Sequence, residues 1–107
     1  MAVKKQFSSF EAMLQAAEKP VLVDFYATWC GPCQIMGKTL EEISPQMANE
    51  IQIVKVDGDR YPALASHHGV HAYPTLVLYN KGQLVSRIEG AVAAPQLMQQ
   101  IRRALQN

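Results

Sequence analysis

Residues 21–27, Val-Leu-Val-Asp-Phe-Tyr-Ala, form a run that is apolar on both faces of an extended chain, with Asp24 as its single charge. Such a run is typical of a central strand that other elements cover on both sides. Pro20 precedes it, and Trp-Cys-Gly-Pro-Cys follows at 29–33. The run therefore predicts a sheet with helices on both faces, and a central strand that leads into a pair of cysteines.

Helical and strand-like patterns alternate along the rest of the chain. Helices are predicted at 9–18 (capped by Ser8 and Glu11), 33–49, 62–68 and from Pro95 onward. Strands are predicted near 2–6 and at 21–27, 51–56, 75–79 and 84–88, the last two joined by a turn at 80–82. This order predicts an α/β fold, with a mixed sheet of about five strands and about four helices in a single domain over 1–107.

The amino-acid composition limits the kinds of partner that the protein can bind. The 107 residues are 49% hydrophobic and 18% charged, with a formal net charge of +1 and no basic cluster. This balance is typical of a globular domain and argues against nucleic acid or an anionic membrane as a partner. No apolar stretch is long enough to span a bilayer, and the first twenty residues lack the apolar core of a signal peptide. A cytoplasmic location is therefore expected.

The two cysteines, Cys30 and Cys33, are the only ones in the chain and can form a reversible disulfide. A helix that begins near Cys30 would direct backbone N–H groups and the positive end of its dipole at that sulfur, which lowers a thiol pKa. Cys30 is therefore the predicted nucleophile. Cys33, one turn further into the helix and expected to be more buried, is the predicted resolving thiol.

The two residues between the cysteines have predicted roles of their own. Gly31 lets a partner's backbone approach closely. Pro32 fits the first helical turn and lacks an N–H, which removes one donor to the thiolate. A less stabilised thiolate makes the dithiol a better reductant.

A metal site is the alternative interpretation of the cysteines. Cys30 and Cys33, with His67 and His71, supply zinc ligand types in the order C-x2-C…H-x3-H. The 33 residues between Cys33 and His67 far exceed zinc-finger spacing, and the apolar core does not need a metal to fold. Disulfide exchange is therefore favoured over a Cys/His zinc-binding module.

The chain resembles the thioredoxin family over nearly its full length. The matching segments are VLVDFYATWCGPC at 21–33, YPT at 73–75, the Lys-Gly of the hairpin and EGA at 89–91. The resemblance implies a thioredoxin fold and a protein-disulfide reductase without bound cofactor. Nothing in the sequence demands more than a monomer, which is the expected state. A separate thioredoxin reductase, dependent on NADPH or on ferredoxin, would restore its dithiol.

Three segments resemble the y-type thioredoxins of cyanobacteria and plastids: YATWCGPCQ, Arg60-Tyr61-Pro62 and RIEGA. This resemblance implies peroxiredoxins and methionine sulfoxide reductases as target proteins. It also implies the plastid stroma as a location if the chain is a trimmed mature form. The sequence departs from the common family pattern at Lys38, His71 and Tyr73, which can alter the choice of partner.

Asp24 is a candidate acid–base group. Burial of a lone carboxylate in an apolar strand should raise its pKa, and a carboxyl group with a raised pKa suits proton transfer at neutral pH. A second interpretation, compatible with the first, is that Lys55 in the next strand satisfies the carboxylate. The resemblance implies that Asp24 relays a proton to or from Cys33 and that Lys55 tunes it.

The resemblance also implies a surface that contacts target proteins. Pro74 matches the cis-proline of the family, which lets the backbone at Tyr73 pair with an extended peptide. The other residues implied in this surface are Trp29, Ala72, Gly90 and Ala91. A thiol oxidase or isomerase on the same fold is the rival function. The Gly-Pro pair between the cysteines, the missing export signal and Asp24 argue against it.

Overall fold

The computed structural model describes the backbone of residues 2–106 and the side chains of residues 8–106. Within this part of the chain the helices are α1 (Ala2–Ala16), α2 (Gly31–Ile43), α3 (Pro62–His67) and α4 (Ala94–Gln106). The strands are β1 (Val21–Tyr26), β2 (Gln52–Asp57), β3 (Thr75–Asn80) and β4 (Gln83–Glu89). None of these helices combines the length and the apolar composition that crossing a bilayer requires.

The four strands form one mixed sheet in the order β2-β1-β3-β4. Strand β1 runs parallel to β2 and antiparallel to β3, and β3 pairs with β4 as an antiparallel hairpin. Five of the six residues of β1 are fully buried, as predicted for a strand covered on both faces. The register places Asp24 between Lys55 of β2 and Leu76 of β3.

Alternation along β1 divides the core into two layers. Val21, Val23 and Phe25 pack in one cluster with residues of α1 and α3. Leu22 packs on the opposite face, in a cluster with residues of α2 and α4. Because side chains two apart in a strand share a face, Asp24 lies on the face that α2 covers. The helix that carries Cys33 therefore packs over the strand that carries Asp24.

The N-terminal segment differs from its prediction. The strand predicted near 2–6 is wrong, because α1 already begins at Ala2 and Ser8, the predicted helix cap, lies inside it. Ala, Lys and Gln, which make up most of residues 2–6, favour helix, and no breaker separates them from the apolar helical pattern that follows. In the described residues the sheet therefore has four strands instead of about five.

Strand β2 was predicted as a buried strand, and this is wrong for most of its length. Only Val56 of its six residues is fully buried, and Lys55 is exposed. The reason is position, since β2 is an edge strand with β1 as its single neighbour.

Helix α2 ends at Ile43, six residues before the predicted end at 49. Pro45 explains the early end, because it has no N–H to donate to the carbonyl of Glu41. The predicted apolar face is nevertheless confirmed. Its four residues, Met36, Leu40, Ile43 and Met47, are all buried.

Candidate active site

The two cysteines lie at the junction between the end of β1 and the start of α2. Cys30 is the N-cap of α2, and its sulfur accepts a hydrogen bond of 3.1 Å from the backbone N–H of Cys33. The two cysteines are joined as a disulfide, with their Cα atoms 5.2 Å apart. A helix N-terminus at Cys30 is what the sequence predicts. The same N–H group and the helix dipole would stabilise a thiolate at Cys30 once the disulfide is reduced.

Burial does not distinguish the two cysteine residues. Cys30 is 5% exposed and Cys33 is 6% exposed, so the expectation that Cys33 is more buried is wrong. Their surroundings differ instead. Cys30 Sγ lies 3.6 Å from the carbonyl oxygen of Tyr73, whereas Cys33 lines a groove of about 440 Å³ with Lys38 and Lys55. The assignment of Cys30 as nucleophile therefore depends on its place at the helix N-terminus.

Asp24 is the most buried charged residue of the site, at 1% exposure. No group in residues 8–106 donates a hydrogen bond to either of its carboxylate oxygens. Burial raises the pKa of Asp24 to about 6, against a smaller lowering by the positive charge of Lys55. A carboxyl group with this pKa can take up and release a proton near neutral pH.

Lys55 acts on Asp24 only through space. The two residues face each other across β1 and β2, but the described ion pairs do not include them. The Lys55 ammonium lies instead over the ring of Tyr26, 5.0 Å from its centroid. The interpretation that Lys55 satisfies the Asp24 carboxylate is therefore wrong, while its electrostatic effect on the Asp24 pKa agrees with a tuning role.

The loop before β3 lies beside the cysteines. The Tyr73–Pro74 peptide bond is cis, as the resemblance implies. The Thr75 hydroxyl donates to the carbonyl of Ala72 at 2.7 Å, which closes the loop. Gly90, with a φ of 85°, donates its N–H to the carbonyl of Pro74 at 2.9 Å. The structure thus joins the loop at 72–74 to Gly90, and Ala91 follows as an exposed residue.

Trp29 is the most exposed large apolar side chain of the described residues, at 71%. Its indole Nε1–H donates to Asp59 Oδ2 at 2.6 Å. Its ring meets that of Tyr73 edge to face, with 6.3 Å between the centroids. This exposure is too high for a partly buried aromatic side chain that shields the disulfide. It fits a contact surface, because the indole is held in place while its face stays open to solvent.

The sequence matches a known family over nearly its full length. The thioredoxin family model matches residues 1–103. The chain belongs to the thioredoxin family. A thioredoxin-like protein of the cyanobacterium Synechocystis is 54% identical over 102 residues, which cover 95% of this chain and 97% of that protein. The chloroplastic thioredoxin Y of rice is 49% identical over 105 residues, or 98% of this chain, which spans only 62% of the rice protein.

A solved structure confirms the thioredoxin fold. It comes from a study of thiol resolution in a yeast mitochondrial 1-Cys peroxiredoxin by the glutathione and thioredoxin systems. The likeness has a TM-score of 0.81 and 33% identity, and covers 90% of this chain and 88% of the other. Thioredoxins are protein-disulfide oxidoreductases without a prosthetic cofactor, and they work with reductases and with disulfide-bearing targets.

Two residues that the sequence analysis did not single out, Gly58 and Asp59, lie against Tyr73 and Trp29 in the candidate site. Asp59 holds the Trp29 indole, and the absent side chain of Gly58 leaves room for the Tyr73 ring, which a Cβ there would overlap. Both follow the C-terminal end of β2. The sequence order could have indicated them, because β1 and β2 are parallel and the residues that follow the two strands lie at the same edge of the sheet.

Replacement of Gly58 by alanine should therefore disturb the site from outside the dithiol. We expect Gly58→Ala to lower the free energy of unfolding by about 1–3 kcal/mol, as overpacking does, because the new methyl group displaces the Tyr73 ring. Trp29 is the only tryptophan and packs against Tyr73, so its fluorescence should change as well. Denaturant unfolding and emission spectra measure both effects. Gly31→Ala is the control, since a Cβ there meets nothing within 4 Å; equal losses in both variants would contradict the explanation.

The alternative zinc ligands do not meet at one place. The structure joins Cys30 to Cys33 as a disulfide. It places His67 beside Glu11 and His68. His71 lies in the exposed loop before the cis-proline. The C-x2-C…H-x3-H order in the sequence therefore does not correspond to a cluster of these four side chains in the described residues.

Proposed function

We propose that this protein reduces disulfides of target proteins with the Cys30–Cys33 dithiol. The observation that carries the proposal is the cysteine pair at the N-terminus of α2, where the N–H of Cys33 contacts the sulfur of Cys30. Hydrogen bonds and a helix dipole directed at one sulfur of a pair favour its thiolate, which is the reactive form.

The reaction proceeds in two exchanges. The Cys30 thiolate attacks one sulfur of the target disulfide, forms a mixed disulfide and releases the other target sulfur as a thiolate, which takes up a proton. Cys33 then gives its proton to Asp24 and attacks Cys30 Sγ, and the second target sulfur leaves and is protonated. Two electrons pass to the target, and the protein ends with its disulfide. Asp24 suits the role because its pKa of about 6 lies near neutral pH.

The target segment binds as an extended chain beside the cis-proline. The backbone at Tyr73 faces Cys30, with the carbonyl oxygen 3.6 Å from the sulfur, and can pair with a peptide. Trp29 gives an exposed apolar face next to it, and Ala72, Gly90 and Ala91 form the rest of the contact surface. Gly31 is open to solvent and lets the target approach the disulfide.

Peroxiredoxins and methionine sulfoxide reductases are the proposed targets. The resemblance to y-type thioredoxins implies both target classes, and the structural likeness to a chain studied with a yeast peroxiredoxin supports the first of them. Electrons reach the dithiol from a thioredoxin reductase that uses NADPH or ferredoxin. The proposed state is a single-domain monomer over 1–107, in a cytoplasm or in the plastid stroma.

The equilibrium reduction potential of the Cys30–Cys33 couple tests the direction of electron flow. We expect a value more negative than the cytosolic glutathione pool, roughly −220 to −260 mV by extraction, measured by titration against dithiothreitol. A value well above that pool would contradict the reductase function and favour the oxidase or isomerase.

Pro32→Ala provides an internal comparison for this measurement. The substitution restores an N–H in the first turn of α2, next to the sulfur of Cys30. One added hydrogen bond to the thiolate should raise the potential by roughly 30 mV, equivalent to about 1.4 kcal/mol. An unchanged potential would show that the missing donor at Pro32 does not contribute to the reducing power.

A further inference from the structure

A second polar cluster surrounds His68, the residue that caps the C-terminal end of α3. The His68 side chain is only 9% exposed, and the ring packs edge to face against Phe10 with 5.0 Å between centroids. Its Nδ1 lies 2.7 Å from the hydroxyl oxygen of Tyr79. Its Nε2 is buried and lies 3.1 Å from Glu11 Oε1, with which it forms an ion pair when the ring is protonated. The buried nitrogen thus faces a carboxylate oxygen at hydrogen-bond distance, and either a proton on Nε2 or a metal ion can lie between them.

His67 brings a third donor to the same place. One ligand atom from each of Glu11, His67 and His68 lies within 4.8 Å of the other two. Two imidazole nitrogens and one carboxylate oxygen are the donor set of zinc sites that keep a fourth position open. Bonds of about 2.0–2.2 Å would require the donors to approach to roughly 3.3 Å of one another. The Glu11 side chain is 41% exposed and His67 is exposed, so the proposal requires a change of rotamer at the surface and not in the core.

Contacts behind His68 fix the buried ring and its backbone. If Nε2 binds a metal, the proton of the neutral ring is on Nδ1. That N–H then donates to the Tyr79 hydroxyl oxygen. A hydrogen bond from the second ring nitrogen commonly orients histidines that bind metals. Arg87 donates to the carbonyl oxygens of His68 and Gly69, at 2.6 and 3.3 Å. One ligand is therefore held rigidly while two on the surface can adjust to the ion.

We propose that Glu11, His67 and His68 bind a divalent transition-metal ion, with zinc as the best match to the donor set. The ion would connect α1 to the end of α3, so its effect is to stabilise the packing of these two helices. The site is separate from the dithiol. Tyr79 lies four residues along β3 from Thr75, which follows the cis-proline, and this corresponds to roughly 13 Å.

Zinc titration of the oxidised protein tests this site, because the disulfide leaves no thiolate to bind the metal. Calorimetry with zinc chloride should show one ion per chain, and cobalt(II) should give the visible absorption of a low-coordinate site. Glu11→Gln and His67→Ala should each weaken zinc binding by more than the 10- to 100-fold typical of lost outer contacts. Tyr79→Phe should weaken it within that range.

Matched variants on the same chain serve as controls. Glu18→Gln and His71→Ala change an exposed carboxylate and an exposed imidazole outside the cluster, and should bind zinc like the unchanged protein. Zinc should also raise the Tm of the oxidised protein, but not that of Glu11→Gln or His67→Ala.

Three results would overturn the proposal. The first is no zinc binding by the oxidised protein, which would leave His68 and Glu11 as an electrostatic pair only. The second is zinc affinity that Glu11→Gln and His67→Ala leave unchanged. The third is binding that requires the reduced protein and disappears in Cys33→Ser, which would place the metal on the thiolates.

Discussion

Cys30→Ser should abolish disulfide reduction, because serine cannot supply the thiolate that attacks the target. The expected rate is that of dithiothreitol alone in an insulin-precipitation assay. The fold should be retained, since serine is similar in size and its hydroxyl can accept the N–H of Cys33 as a helix cap. A folded Cys30→Ser variant that still reduces insulin would contradict the assignment of the nucleophile.

Cys33→Ser should fail at the later step and therefore give a different result. Its Cys30 still attacks the target, but no resolving thiol follows, so a mixed disulfide accumulates up to one target per chain. Non-reducing electrophoresis and intact-mass measurement with a peroxiredoxin would detect it. The paired variants are needed to distinguish the two roles, because both cysteine residues are almost equally buried and exposure alone does not assign them. If Cys30→Ser accumulated the mixed disulfide with the target instead, Cys33 would be the nucleophile and Cys30 the resolving thiol.

Local sequence patterns correctly predicted the helices, strands and turns whose structure depends mainly on residues nearby in the chain. The run at 21–27 is apolar on both faces, and it became the central strand β1. The turn at 80–82 has positive φ at Lys81 and Gly82, as a tight hairpin requires. The prediction of the apolar face of α2 was also correct. The predicted end of α2 was too late, because Pro45 has no N–H with which to continue the helix.

Predictions that depended on distant neighbours were less successful. The apolar content of 51–56 indicates a strand but not its place at the edge of the sheet, which depends on what else pairs with it. Gly58 and Asp59 escaped notice for the same reason, since their contacts with Tyr73 and Trp29 are made across the fold. The chemistry of Asp24 could be predicted because a single charge in a buried strand carries its own signal.

Asp24→Asn should stabilise the protein and slow its reaction together. The pKa of Asp24 is raised from 3.8 to about 6 by burial. Below pH 3.8 the carboxyl is protonated in both folded and unfolded chains, and the free energy of unfolding is unaffected. As the pH rises, the unfolded chain ionises first, so stability falls between about pH 4 and 6 and stays lower above that range. The loss is about 3 kcal/mol, at 1.36 kcal/mol per pH unit.

Asparagine resembles the protonated carboxyl and does not ionise. Asp24→Asn should therefore match the unchanged protein near pH 3 and exceed its free energy of unfolding by about 3 kcal/mol at pH 7. Urea unfolding of the oxidised proteins from pH 3 to 8 measures the difference. Glu18→Gln, which changes an exposed carboxylate, is the control and should follow the unchanged protein at every pH. If the free energy of unfolding of Asp24→Asn also matched that of the unchanged protein at every pH, the Asp24 pKa would not be raised by burial.

The same substitution removes the group proposed to take the proton from Cys33. We expect decay of the mixed disulfide to slow by on the order of 100-fold at pH 7, the lower end of what a positioned acid–base group contributes. Its dependence on an ionisation near pH 6 should disappear. Stopped-flow measurement of target release at several pH values checks this. A more stable Asp24→Asn protein with an unchanged release rate would leave burial as the cause of the raised pKa but would remove Asp24 from the reaction.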